Sequence, residues 1–466
     1  MKEGSKTKKK LKVPPAFALL VIMIFIAVLA SWLLPAGQFD RVVNDAGKSL
    51  VVPGSYHTVD RNPASIWDGF TAIPKGLINS ATIIFAVFLI GGSFKIIEST
   101  GILQSVLGGV SKVFRGKEML MIPIVMICLS VMCSFIGLLE LSMVVTPIMI
   151  PVCLALGMDS MVAVAIPLIS TAAGFACGVA NPFTVVIAQG IAELPLYSGS
   201  SFRAICLVVI TAIGVWYVIR YAAKIRKSPE SSIMFERDKE LRVEYGVGEV
   251  VEFTTRRKLG LAAFIIGFVV IIIGAMKFSW ALVEISTVFI IMALACSVLT
   301  GMSLEDICEN FSKGLASFSS AALVSGFAAA ITLILSNANV IDTIINAVAN
   351  LVAALPSSIA AVGMLIVQFL FNFIVPSGSG QALISMPIMI PLSDIIGVTR
   401  QTAIIAYQFG DGLSNILWPT LGYLWVCIGA AKIKYEEWFK FIGPLILIWY
   451  VVCAVLLVIA QGIGLA

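Results

Sequence analysis

Apolar runs dominate the chain and polar residues are confined to the gaps between them. The runs fall at residues 14–34, 78–98, 119–136, 141–156, 160–190, 202–222, 259–276, 281–299, 314–336, 357–374, 382–396, 400–430 and 438–462. Many reach the length of about 20 residues that a helix needs to cross a hydrocarbon core of about 30 Å. Two neighbouring pairs, 119–136 with 141–156 and 357–374 with 382–396, are separated by only the short stretches "SFIGLLELS" and "FIVPSGSGQ". Non-helical backbone at membrane depth is tolerated only where protein buries it or where it lines a cavity. Each pair therefore reads as a re-entrant helical hairpin that enters and leaves on one side.

An internal repeat organises these runs. The pentapeptide Pro147-Ile148-Met149-Ile150-Pro151 recurs letter for letter as Pro387-Ile388-Met389-Ile390-Pro391, 240 positions later. Lys75-Gly76-Leu77 matches Lys313-Gly314-Leu315 at an offset of 238, and "IWDGF" (66–70) resembles "ICENF" (307–311) just before them. The same offset aligns the amphipathic stretches 102–110 and 340–348 and pairs Phe135-Ile136 with Phe373-Ile374. A two-residue shift brings Gly157 and Gly397 into register. One pentapeptide arises by chance; an ordered series of matches does not. Each pentapeptide sits on the return arm of a hairpin, where proline's missing N–H and fixed φ kink the helix.

Five crossings separate the two copies of Lys-Gly-Leu if both pairs are hairpins: 78–98, 160–190, 202–222, 259–276 and 281–299. Five is odd, so the repeats are inverted, which is the architecture of secondary transporters. The expected fold is an all-α polytopic membrane protein of about nine transmembrane helices and two opposed re-entrant hairpins. Its organisation is residues 1–65 (basic N-terminus, first helix and external loop), 66–222 (first repeat, hairpin 119–156, broken helix 160–190), 223–306 (charged loop and two scaffold helices) and 307–466 (second repeat, hairpin 357–396, broken helix 400–430). The distribution of basic residues agrees. With the N-terminus inside, Lys112, Arg115, Lys117, Arg220, Lys224, Arg226, Lys227, Lys432, Lys434 and Lys440 all fall inside, and the C-terminus lies outside.

Composition sharpens the class. Hydrophobic residues make up 59% and charged residues 12% of the 466 residues, against about 45–50% and 25% in soluble domains. The net charge of +5 sits in short flanks, so it reports topology and not a nucleic-acid partner. The N-terminus "MKEGSKTKKKLK" precedes a run too long for a signal-peptide core, and no A-x-A site follows. Nine cysteines are scattered without CxxC spacing, so neither a disulfide framework nor a metal cage is expected. Enzyme and pump motifs are missing: there is no HExxH, GxSxG or G-x-x-x-x-G-K-[ST]. No cofactor is expected, apart from Na⁺ or H⁺ as a coupling ion.

Four segments are expected to meet at the centre: the two hairpin tips and the two Gly/Pro-broken helices "STAAGFACGVANPFT" (170–184) and "QFGDGLSNILWPT" (408–420). Interrupted apolar segments at corresponding positions point to a transporter's binding site. Asn181 and Thr184 in the first break, and Asn415 and Thr420 in the second, supply side-chain oxygens. Asn181, Asp411 and Asn415 are candidate Na⁺ ligands. The second tip, "PSGSGQ", reads as a loop in which Ser377, Gly378, Ser379 and Gly380 offer hydroxyls and bare N–H groups to an anion. The first tip is mostly apolar but carries Glu140 and Ser142. Asp159 falls at a surface turn, which leaves Glu140 and Asp411 as the two carboxylates deep in the bundle. Intramembrane ionisable groups are costly and by default functional. No Lys or Arg is expected at hairpin or broken-helix depth, so two carboxylates facing a Gly/Ser anion nest favour a basic amino acid over a dicarboxylate.

The basic N-terminus, "LLPAGQFD" (33–40), the paired hairpins and the repeated pentapeptide resemble the YfcC-type, basic-amino-acid-antiporter-like transporters. These group with the C4-dicarboxylate anaerobic carriers and p-aminobenzoyl-glutamate transporters in the ion transporter superfamily. The resemblance implies a homodimer in the lipid bilayer of the bacterial inner membrane, each protomer with a static scaffold, an elevator-like transport domain and interfacial helices at 99–116 and 337–355. It implies a small-molecule substrate, arginine or ornithine first and a C4-dicarboxylate as the alternative; an intramembrane enzyme or a channel fits less well. Dicarboxylate relatives use a Ser-Asn-Thr triplet at each tip, where this chain has Glu140-Leu141-Ser142 and Ser377-Gly378-Ser379.

Overall fold

A computed structural model describes residues 16–43, 49–52, 54–102, 105, 116–181, 183–246, 254–278, 280–353 and 355–465. The basic N-terminal stretch, Lys112, Arg115, Pro182 and most of the segment 99–116 lie outside these described residues. Of these described residues, 78% are helical. Among the described residues, six helices are long and apolar enough to cross a membrane, or seven when a pair bent by 42° is counted as one. The exceptions to an all-helical chain are two short antiparallel pairs, Gly37–Gln38 with His57–Thr58 and Arg41–Val43 with Ser49–Val51.

The helices form two packed groups. The first gathers α1 (Ala16–Leu33), α2 (Ile66–Asn79), α3 (Ala81–Ser99), α10 (Thr255–Phe278), α11 (Leu282–Thr300) and the long α12 (Leu304–Asn337). Here the repeated Lys-Gly-Leu acquires a physical reason. A methyl group on Gly76 would lie 2.3 Å from the Gly326 carbonyl oxygen, and one on Gly314 would lie 2.6 Å from that of Gly91. Both glycines let α12 approach α2 and α3 backbone to backbone, so the same residue is needed twice.

The second group contains α4 (Met121–Ile136), α5 (Leu141–Ala155), α6 (Ser160–Ala176), α7 (Val185–Ile191) and α8 (Ser200–Lys227), followed later by α14 (Ser357–Ile374), α15 (Gly378–Ile396), α16 (Arg400–Ser414), α17 (Gly422–Ala430) and α18 (Tyr435–Gly462). Several contacts recur in both halves. α4 meets α6 and α8 as α14 meets α16 and α18, and α5 packs on α6 as α15 packs on α16. The halves then exchange partners: α7 packs on α15, α17 on α5, and α6 crosses α16 at the centre. Residues 160–190 and 400–430 are each two helices with a non-helical break. The prolines of each pentapeptide lie inside one continuous helix, α5 or α15.

The aligned glycines end those two arms identically. Gly157 and Gly397 take φ of +76° and +73°, a left-handed conformation that costs glycine nothing. The next N–H then reaches back five residues, Met158 to Cys153 at 2.9 Å and Val398 to Ser393 at 2.8 Å, the closure typical of a helix terminated at glycine. The next helix starts on a side-chain cap in both copies, Asp159 to the Val162 N–H and Thr399 to the Thr402 N–H.

Asp159 is not at an exposed turn. It is 2% exposed, because the polar helix α9 (Phe235–Glu244) and the segment before it fold over it. Asp159 accepts from Tyr221 Oη at 2.8 Å and Ser232 Oγ at 2.6 Å. Arg242 donates to the Leu154 carbonyl, and Arg237 pairs with Glu437 at 2.7 Å, so α9 ties the α5–α6 turn to the start of α18. Asp238 accepts from the Ser160 N–H at 3.1 Å. Burial pushes its carboxyl up to about 6; Ser160's hydrogen bonds and Arg242 oppose the shift and the Asp159 charge adds to it. A raised carboxyl penalises the docked state above the folded-state value, and the penalty is relieved as pH falls through it. Protection of 235–244 against hydrogen exchange, corrected for the intrinsic rate, is therefore expected to rise up to about tenfold from pH 7 to pH 5, and Asp238→Asn to flatten that response.

α13 (Ile341–Ala353) carries no Lys or Arg and packs on α14 and α15. The strand-bearing segment after α1 is tied to its start: Arg41 forms an ion pair with Asp342 at 2.8 Å, and Tyr56 Oη lies 3.0 Å from Thr343 Oγ1.

Candidate functional site

The exchange of partners between the halves brings the breaks and the tips together. Asp411, three residues before the end of α16, is 0% exposed, and neither carboxylate oxygen has a hydrogen-bond partner. A methyl group on Gly378 would lie 3.0 Å from Asp411 Oδ2 and 2.9 Å from Thr184 Cγ2. The first break, the second tip and the second broken helix thus meet at one point. Thr184 Oγ1, Thr420 Oγ1, Asn181 Nδ2 and Asn415 Nδ2 are also buried without partners. Buried polar atoms are normally satisfied, so this cluster of orphans is the site's chemical signature.

Side chains not anticipated from the sequence hold the cluster in place. Asn372 Nδ2 donates to the Asp411 carbonyl at 3.1 Å, to Ser414 Oγ at 2.7 Å and to Asn415 Oδ1 at 2.9 Å. Tyr407 Oη donates to the Gly378 carbonyl at 2.6 Å, and Tyr423 Oη to that of Asn415 at 2.9 Å. The two arms of the second hairpin are joined by Gln381 Nε2, which donates to Gln368 Oε1 at 2.7 Å. A signal for these was present: Gln368 and Asn372 are the polar residues of an otherwise apolar run, one helical turn apart, and Gln408 lies one turn before Asp411 on the same face.

A cavity of about 380 Å³, within the range of small-molecule sites, opens at Ser377, the neighbour in sequence of the Gly378 that abuts Asp411; Asp411 itself does not line it. Glu140 and Met143 line it from the first hairpin, Ser377 from the second tip, and Thr420 and Tyr423 from the second break. Asn79, Ser80, Thr332 and Ser336 complete it from the first helix group. Glu140 is partly exposed to this cavity. Ser65 and Asp68 show what a satisfied carboxylate looks like here, with a full capping box at the start of α2; Asp411 has nothing comparable.

Other expected site residues stand elsewhere. Ser142 is 0% exposed and its hydroxyl donates to the Leu139 carbonyl at 2.8 Å, so it faces the protein and not the cavity. The tip read as a loop is helical: α15 starts at Gly378, with Ser377 as its N-cap accepting from the Gly380 N–H. Ser379 and Gly380 are therefore first-turn residues that leave the cavity wall to Ser377. The cause is the cap: a Ser followed by free N–H groups starts a helix. Its N-terminal N–H groups supply the positive end a loop nest would have supplied. Asn181 Oδ1 accepts from the Phe183 N–H at 2.9 Å, and a methyl on Gly137 would lie 2.1 Å from that oxygen, so the first tip closes on the first break. Arg203 corrects the expectation that no basic group reaches the breaks: it is 1% exposed, with Nε 2.9 Å from the Gly178 carbonyl and Nη2 3.1 Å from that of Val179.

Chemically, the place joins one sealed carboxylate, one cavity-facing carboxylate and a helix N-terminus. Asp411, with Thr184 and the carbonyl-rich breaks nearby, has the oxygen chemistry that a cation or a protonated amine requires.

Residues 13–462 match the family model described as the C4-dicarboxylate anaerobic carrier. "Putative basic amino acid antiporter YfcC" of Escherichia coli (strain K12) is 32% identical over 96% of this chain and 96% of its own. A protein of Haemophilus influenzae named only as uncharacterized is 29% identical over 98% of each chain. The solved structure of Neisseria gonorrhoeae MtrF covers 96% of this chain and 95% of its own at 16% identity, with a TM-score of 0.44. The match to the family model covers almost the whole chain, and the chain belongs to the C4-dicarboxylate anaerobic carrier family.

Proposed function

We propose that the protein is a secondary active transporter that exchanges basic amino acids, arginine and ornithine first among them, across a bacterial inner membrane. Asp411 carries this reading. A buried carboxylate without a partner costs several kcal/mol, and no structural partner offsets that cost here. A guanidinium or ammonium group placed against Asp411, with Glu140 across the cavity, relieves that cost. The substrate carboxylate is held at the N-terminus of α15 around Ser377, where N–H groups and the helix dipole favour an anion. The name carried by the Escherichia coli relative supports the same class.

The topology that goes with it has nine crossings, two opposed re-entrant hairpins and inverted repeats, with the N-terminus inside and the C-terminus outside. The matched packing of the two halves supports it. The second helix group, carrying the orphan cluster, moves as the transport body of an elevator. The first group is the scaffold, in a homodimer. Asp411, with Asn181 and Asn415 near it, takes the substrate cation; a proton or Na⁺ occupies that place only in the alternative reading.

That alternative is a Na⁺- or H⁺-coupled C4-dicarboxylate carrier, favoured by the family's description. It requires Asp411 and Glu140 to be neutralised before a second anion enters. Competition separates the two. In proteoliposomes, uptake of labelled arginine is expected to be inhibited by ornithine and unaffected by succinate; inhibition by succinate alone, or Na⁺-driven succinate uptake with arginine inert, would replace the first reading with the second.

A further inference from the structure

Both broken helices expose carbonyls where they unwind, and the two halves satisfy them differently. In the second half the donors are neutral. Tyr423 Oη serves the Asn415 carbonyl at 2.9 Å, Trp438 Nε1 that of Ile416 at 2.7 Å, and Tyr435 Oη that of Leu417 at 2.7 Å. In the first half the donor is a cation. Arg203, in the first turn of α8, gives Nε to Gly178 at 2.9 Å, Nη2 to Val179 at 3.1 Å and Nη1 to Ser198 at 2.8 Å. All three acceptors are main-chain carbonyls. Arg203 is 1% exposed, and among the described residues no Asp or Glu lies within ion-pair distance of it.

Capping alone does not require a charge, since the second half does it with tyrosine and tryptophan. Burying an unpaired guanidinium is costly, so the charge itself needs a reason. The C-terminal carbonyls of an interrupted helix carry partial negative charge, and unwound carbonyls at such breaks are the kind of oxygen ligand a coupling cation takes. We propose that Arg203 is a tethered cation standing where a diffusible Na⁺ would ligate the first break, so that this half of the carrier needs none. Arg203 is then a positioning residue that holds the break in its loaded geometry permanently. The inference rests on the transporter reading but not on the choice of substrate. It narrows the coupling chemistry: any diffusible cation is confined to the Asp411 side.

The test is Na⁺-specific stabilisation of the purified full-length protein in detergent, with Na⁺ titrated against choline at constant ionic strength and no substrate present. Asp411→Asn removes the unpaired carboxylate on the other side, where a diffusible cation would still bind, and provides the background. In that background melting is expected to be indifferent to Na⁺. Adding Arg203→Gln, which keeps donors but loses the charge, is expected to create a saturable, Na⁺-specific rise of about 3 °C or more, while Arg203→Lys creates none. A Na⁺-specific rise already present in Asp411→Asn and unchanged by Arg203→Gln would overturn the proposal. So would a folded Arg203→Gln double variant that ignores Na⁺, since the guanidinium would then be a cap and nothing more. If the double variant does not fold, the Asp411→Asn protein decides alone: a Na⁺-specific rise overturns the proposal and a flat response upholds it. Labelled-arginine exchange measured on the same preparations reads the substrate assignment separately.

Discussion

Asp411→Asn is expected to raise the melting temperature of the empty protein by about 3–6 °C while lowering arginine exchange by at least about thirtyfold. The two effects have one cause. In the empty carrier the carboxylate is sealed from water and neither oxygen finds a donor, so it pays desolvation with no return. The isosteric amide removes the charge and keeps the shape. When a cationic substrate arrives, the charge that destabilised the empty state supplies the attraction, and the amide cannot. A structural carboxylate would behave in the opposite way: its loss would lower the melting temperature. Glu140→Gln provides the contrast, because Glu140 faces a cavity and is partly hydrated. It is expected to weaken exchange with little change in melting.

Gly412→Val is expected to prevent accumulation of folded protein. A methyl group at Gly412 would lie 2.4 Å from Ala176 Cα and 2.7 Å from Ala176 N, where α16 crosses α6 beside both breaks. Those are backbone atoms of a helix packed on several sides, and no flexible side chain is there to give way. Separating the helices would pull the two breaks apart, a loss in the class of core overpacking beyond about 4–5 kcal/mol. Gly190→Ala is the matched control: nothing lies within 4 Å of that position, and melting is expected to stay within about 2 °C. Size-exclusion profiles and yields of the two variants check the contrast.

The sequence carried the organisation more clearly than the site. Hairpin arms, broken helices and the terminating glycines follow from local rules applied twice: apolar run length, Gly/Pro interruption, and the need for positive φ at Gly157 and Gly397. The Lys-Gly-Leu match marked an equivalence whose reason, close backbone approach to α12 and to α3, appears only when the partner helix is placed. Glu140, Ser377, Thr420 and Asp411 were legible as costly or helix-breaking residues in apolar surroundings; the first three line one cavity, while Asp411 lies against Gly378, the neighbour of Ser377. What stayed hidden depends on contacts between distant segments. Ser142 has the right composition but spends its hydroxyl on the Leu139 carbonyl of the tip turn just before its helix. Asn372 matters because α14 lies against α16, 39 residues along the chain. Arg203 escaped notice because it stands at the polar edge of the run 202–222, and only its long side chain reaches the break. The glycines of the Gly-Ser tip lower helix propensity, yet the Ser377 cap and packing against Asp411 and Tyr407 start the helix there.

The central claim is exchange of a cationic substrate through Asp411, and one measurement tests it most directly. Purified protein is reconstituted in Na⁺-free proteoliposomes, and uptake of labelled arginine is followed with and without internal ornithine. The expected result is uptake stimulated by internal ornithine, absent in empty vesicles and lost in Asp411→Asn. Uptake that is indifferent to internal ornithine, or that survives in Asp411→Asn, would contradict the account.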